Sequence, residues 1–242
     1  MRFAAIAYVA ATLSAVLLAA VAACAGVEEL TIGGRFMWDY AVWGDVDNGL
    51  GVSAENGTEV RRARIVVKGK VYSNLVFKVN WDFADGEEVN LKDAYLELSG
   101  LPAGTSMRAG HMLEPFCMNE ITSSKYISFI ERASLAAFAP SRNSGLMVTG
   151  HAGERVMLQA GVFRTTDDFG SASGDDGVAF AGRAAALAMG DEKSERMVHL
   201  GAAVNYLVPE DGEVRFSARP EVHMSDRFVD TGSLPADSVL RL

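Results

Sequence analysis

Cysteine is nearly missing from this chain: Cys24 and Cys117 are the only two in 242 residues, and the first falls inside an apolar N-terminus. One remaining thiol cannot close an intramolecular disulfide, so a disulfide-stapled scaffold is excluded, and no zinc-type spacing of Cys and His occurs. Beyond residue 25 no apolar run is long enough for a spanning helix, so any membrane crossing falls to strands. None of His111, His151, His199 and His223 lies in a nucleophile motif, which argues against an enzyme and leaves no catalytic residue to name. No residue pattern asks for a cofactor or a metal. Positive charge is also short. The formal net charge of -9 argues against nucleic acid as a partner.

What is present begins with export. Residues 3–23 are apolar after Arg2, and Ala23-Cys24-Ala25 supplies the small residues of a signal-peptidase site, predicting a signal peptide over 1–25 and a mature start at Gly26. A retained membrane anchor and lipoprotein processing at Cys24 are the alternatives.

From residue 30 onward the chain alternates. On 74–84, Leu75, Phe77, Val79, Trp81 and Phe83 oppose Asn74, Lys78, Asn80 and Asp82. Successive strand side chains point to opposite faces, so this segment has one oily and one wet face. The same pattern predicts strands at 30–43, 58–72, 74–84, 90–99, 105–113, 144–151, 154–166, 177–190, 196–208 and 213–225. Most reach about ten residues, the length of a tilted membrane strand rather than the five or six usual in soluble sheets. Short connections (Ser73, Gly100 to Gly104, Ala152-Gly153) alternate with long polar ones (44–57, 167–176). The fold class is therefore all-β, an antiparallel transmembrane β-barrel of the porin type, with a soluble sandwich as the alternative. Trp38, Tyr40, Trp43, Trp81 and Phe83 stand near strand ends, where rings favour the membrane interface. Residues 114–143 break the alternation and read as a loop folded into the barrel, with Phe116, Ile127, Phe129, Ile130 and Phe138 on the wall and Lys125 and Arg132 toward water.

On 58–72, Ala63, Ile65, Val67 and Val71 share one parity, and Val60, Arg62, Arg64, Val66, Lys68 and Lys70 share the other. Four cations thus form a column facing water. Lys78, Arg35, Arg108, Arg155, Arg183, Arg215 and Arg219 add to it from other strands. Such a column lowers the energy of an anion in a passage of low dielectric, and guanidinium groups match the oxygens of phosphate. The competing reading is a salt-bridged face neutralised by Asp39, Asp82, Asp93, Glu97 and Glu221.

Three stretches resemble the phosphate-selective (O/P-type) outer-membrane porins. They are Glu59-Val60-Arg61-Arg62-Ala63-Arg64, Lys92-Asp93-Ala94-Tyr95, and above all 110–132, with Glu114-Pro115-Phe116, Thr122-Ser123-Ser124 and Phe129-Ile130-Glu131-Arg132 in order. The resemblance covers roughly 30–225. It implies a homotrimeric, sixteen-stranded barrel in outer-membrane lipid whose third loop narrows the pore around inorganic phosphate or another small anion. It also implies an anion site of Arg35, Arg61, Arg62, Asp93, Ser124 and Lys125, with Arg64, Lys68, Lys70 and Lys78 as further pore-lining cations. Strand parity sends Arg62 toward water but Arg61 toward lipid. With about ten strands and no terminal aromatic residue, 26–242 reads as the N-terminal portion of such a barrel. The implied function is passive diffusion of anions, phosphate or polyphosphate, through a basic constriction; a general non-selective porin and a non-transporting lipoprotein or ligand-binding barrel are the alternatives.

Overall fold

The computed structural model describes residues 26–44, 56–86, 88–172, 177–191, 196–220 and 222–242; the expected signal segment and Cys24 lie outside them. Nine long strands follow in order: β1 (Val27–Ala41), β2 (Gly57–Val71), β3 (Leu75–Asp82), β4 (Asn90–Leu101), β5 (Thr105–Leu113), β6 (Arg142–Ala152), β7 (Val156–Arg164), β8 (Val178–Met189) and β9 (Val198–Val208). Each matches a strand that alternation predicts. All pair antiparallel with their sequence neighbours, forming an up-and-down meander.

The tenth predicted strand, 213–225, is not there. Instead β10 (Glu213–Val214), β11 (Ser217–Ala218), β12 (Val229–Asp230) and β13 (Leu234–Pro235) form two small paired ribbons, β10 with β13 and β11 with β12. The tenth place in the sheet goes to β14 (Val239–Arg241), paired to β9. The alternation of 213–225 is genuine, but the segment folds back on its own sequel. Thr231 Oγ1 accepts from the Phe216 amide at 3.0 Å, and Arg215 donates to the Asp230 carboxylate. Pro220 then removes a donor that a long ladder would need. Arg215 and Arg219, expected on a strand face, thereby belong to this folded-back segment, and Arg155 stands in the β6–β7 turn.

Burial is inverted relative to a soluble domain. Leu30, Ile32, Phe36, Trp38, Tyr40, Leu96, Leu146, Leu158, Phe180 and Leu200 are exposed, while Arg62, Asn80, Asp82, Asp93, His111, Arg183 and Asn205 are buried. One sheet face is greasy and outward, and the other carries polar groups under cover. That arrangement suits lipid outside and water inside. Trp38 and Tyr40 stack on the outer face with ring centroids 6.2 Å apart. Connections also alternate: 72–74, 102–104 and 153–155 are tight turns, whereas β3 and β4, β5 and β6, and β7 and β8 meet their longer connections at the opposite end. The sheet is open among the described residues, since β1 pairs only with β2 and β14 reaches three residues of β9.

A small apolar cluster sits on the polar face: Met112, Met147, Phe163, Ala179 and Ala181, with Tyr95 and Leu207 against it. Phe163 lies flat because Gly145 and Gly161 face it; a Cβ at either would come within 2.9 Å of its ring.

Candidate anion site

Local irregularity in β2 creates the first part of the site. Met37 pairs with Arg62 but Trp38 pairs with Val60, so Arg61 is the extra residue of a β-bulge. Before the bulge, Val60 points outward beside Trp38; after it, Arg62 and Arg64 point inward. Arg61, which uninterrupted parity sends toward lipid, swings to the same side as Arg62. Arg61 Nε donates to Glu131 Oε1, and Arg62 Nη2 donates to both Glu131 oxygens at 3.0 and 2.8 Å. Two adjacent guanidinium groups therefore hold one loop carboxylate.

That carboxylate anchors the long loop, residues 114–141. Its N-terminal root carries a single helical turn, α1 (Met118–Ile121). Arg132 donates to the carbonyls of Asn119, Glu120 and Thr122 at 2.8, 3.3 and 2.7 Å, gathering the acceptors that a helix end leaves over. At the root, Glu114 accepts from Asn143 Nδ2 and from Asn205 Nδ2, both at 2.6 Å. Asn205 lies on β9, four strands from β5, and its own Oδ1 accepts from Arg241 at 2.6 Å. The loop is thus tied to both ends of the sheet. Phe129 and Ile130, expected on the wall, are 78% and 61% exposed. The polar anchors, not these apolar side chains, set the loop's path.

Burial alone would raise the Glu131 carboxyl; the Arg61 and Arg62 guanidinium groups outweigh it and hold the group below its usual value of 4.5. A carboxylate held low favours the docked loop fully above its free value and loses that favour as pH falls through the docked value. Acidification below about pH 4.5 is therefore expected to loosen the loop. Current noise in planar bilayers checks this: noise should rise on acidification in the unmodified protein and be high, with a flatter response, in Glu131→Gln. A rise of equal size from an equally quiet baseline in that variant would count against the anchor.

Between loop and sheet lies a cavity of about 750 Å³. Arg35, Arg64, Lys68, Lys78, Arg108, Lys125, Arg132 and Arg142 line it, with Asp93, Tyr95, Ser123, Ser124 and Gln159. Arg35 donates to the Ser124 hydroxyl and, at 3.4 Å, to Ser123. Arg64 pairs with Asp82 at 2.6 Å, Arg108 with Glu97 at 2.6 Å, and Lys78 and Arg142 share Asp93 at 2.8 and 3.0 Å. The Tyr95 ring lies beneath Lys78 and Arg108, 5.8 and 4.2 Å from its centroid. Lys68 and Lys125 reach the cavity with no carboxylate partner among the described residues.

Eight basic lining groups thus face four carboxylates: Asp93 and Glu120 in the lining, Asp82 and Glu97 behind it. Register makes the excess more pointed. Arg35 sits directly opposite Arg64, and Lys68 directly opposite Lys78. Like charges at such positions destabilise a sheet, so this arrangement does not serve folding.

The sequence-predicted residues separate into three sets. Arg35, Asp93, Ser124, Lys125, Arg64, Lys68 and Lys78 meet at the cavity; Arg61 and Arg62 stand behind it, holding the loop. Lys70 lies near the tight-turn end, 4.0 Å from Glu28 and outside the cavity. Arg142 went unnoticed in the sequence because it closes a segment that breaks alternation. A second cavity of about 270 Å³ holds Arg61, Arg132, Arg219, His223 and Arg227. There Arg219 donates to His223 Nε2 at 2.8 Å, leaving Nδ1–H to donate to Glu59 at 2.7 Å.

Among the described residues no group of side chains could hold a metal ion. No curated protein matches the chain. The family model of phosphate-selective porin O and P matches residues 30–240, from β1 to β14. That span takes in the outward apolar face, the loop and the whole basic cavity, and the chain belongs to the phosphate-selective porin O and P family of outer-membrane porins.

Proposed function

We propose that this protein is a passive channel for small anions, inorganic phosphate in particular, with the 750 Å³ basic cavity as its narrow passage. The observation that carries this reading is the pair of like-charge facings, Arg35 with Arg64 and Lys68 with Lys78, on a sheet face that is polar and covered. An anion at the cavity relieves that repulsion. Ser123 and Ser124 add hydroxyl donors, and Tyr95 orients two of the cations. In this reading residues 1–25 direct export, the loop narrows the pore, and the assembly is a homotrimer surrounded by outer-membrane lipid. The residues do no covalent chemistry; they lower the electrostatic cost of passage.

A second reading has its own support. Asp82, Asp93, Glu97 and Glu131 neutralise much of the basic column, which suits a general diffusion porin. Planar-bilayer reversal potentials in a salt gradient separate the two. The selective channel gives anion preference, with chloride current reduced by added phosphate; equal permeability or cation preference removes it in favour of general diffusion.

A further inference from the structure

Arg183 occupies the middle of β8, opposite Gln159 on β7 and Ala203 on β9. Its side chain points to the polar face and is only 8% exposed. Arg62, the other deeply buried guanidinium, is met by both oxygens of Glu131. Arg183 has neither a carboxylate nor a hydrogen-bond partner among the described residues, and the titratable groups near it are the Cys117 thiol and the His199 imidazole. An isolated buried charge is costly unless something compensates it.

The space for compensation is built in. Arg183 lines an alcove of about 170 Å³ with Phe116 and Met118 from the loop root and His199, Gly201 and Ala203 from β9. The alcove exists because its neighbours are small: a Cβ at Gly201 would stand 3.7 Å from Arg183 Nη2, and Ala181 and Ala185 flank the arginine on its own strand. At about 30 Å³ per water, the volume equals roughly five or six water molecules.

We propose that this alcove is a second anion-binding site, separate from the central cavity, in which Arg183 binds a small monovalent inorganic anion of the halide class. One cation matches one negative charge, and a multivalent oxyanion would be left under-compensated. The Phe116 and Met118 walls favour an ion that gives up its water cheaply. Occupancy would also tie the loop root to β8 and β9, because the same residues form wall and root.

Crystals of the whole chain soaked in bromide test this by anomalous scattering. The expected result is a bromide peak in hydrogen-bonding contact with the Arg183 guanidinium, lost in Arg183→Met. Gly201→Val, which fills the alcove while keeping the arginine, should lose it as well and serves if the first variant does not assemble. Absence of the peak in the unmodified protein overturns the site, as does a peak that persists unchanged in both variants. Bromide in the central cavity with an empty alcove would sink this site and leave the channel standing. An occupied alcove in a channel without anion preference would do the reverse.

Discussion

Lys68→Glu/Lys125→Glu is expected to abolish anion preference while leaving the barrel assembled. Both lysines reach the cavity without a carboxylate partner among the described residues, so neither substitution breaks an ion pair there. Eight cations against four carboxylates would become six against six. By Coulomb's law a unit charge at roughly 8 Å in an effective dielectric of about 40 contributes ~1 kcal/mol. Four units of change, reduced by screening, should lower the anion-to-cation permeability ratio about tenfold or more in ~0.1 M salt, and less in ~1 M salt. Reversal potentials measured at both salt concentrations check the size and the screening together. An unchanged ratio at low salt would show that the cavity is not the selective part of the passage. The same replacement at Lys70, which lies outside the cavity, should change little.

Deletion of Val67 should have the largest effect on assembly, and deletion of Arg61 a small one. Without Val67 the parts of β2 on its two sides turn over relative to each other, so either Arg62 and Arg64 or Lys68 and Lys70 come to face lipid. Arg61 is the surplus residue of a bulge; without it Val60 directly precedes Arg62, still faces Trp38, and β2 alternates evenly. A cation on the lipid face costs about 2–4 kcal/mol at mid-depth, whereas loss of Arg61 removes only one of the two guanidinium partners of Glu131. Heat-modifiable mobility on denaturing gels reports the folded fraction. The Val67 deletion should run mostly unfolded, whereas the Arg61 deletion should run mostly folded. Equal folded fractions for the two would mean that Arg61 is not surplus to the register of β2.

The strands of this protein are legible because side-chain parity is a local property. From β1 to β9 an outward Leu, Val or Phe and an inward polar residue are set by their own positions, and reading them needs no partner. Parity misleads where a neighbour intervenes. Residues 213–225 alternate as well as any strand, yet Thr231 and Asp230 capture Phe216 and Arg215 before a ladder can form. Arg61 is misplaced by parity because a bulge is a relation between two strands, visible only when Met37 and Trp38 are seen to skip a residue on β2. Of the loop residues, Lys125 is legible as a cation facing water, but Ser124 is legible only through the family resemblance, since 114–141 has no periodicity to read.

Composition and alternation alone determined that the wall is made of strands, that one face is greasy, and that a basic column stands on the other. They could do so because two-residue periodicity and charge are written residue by residue. Only tertiary structure decided which cations share a carboxylate, which stand directly opposite one another, and which one, Arg183, is buried without a carboxylate partner. Those outcomes depend on register and on the path of one loop across the sheet, and distances between residues far apart in the chain are not encoded in any local pattern.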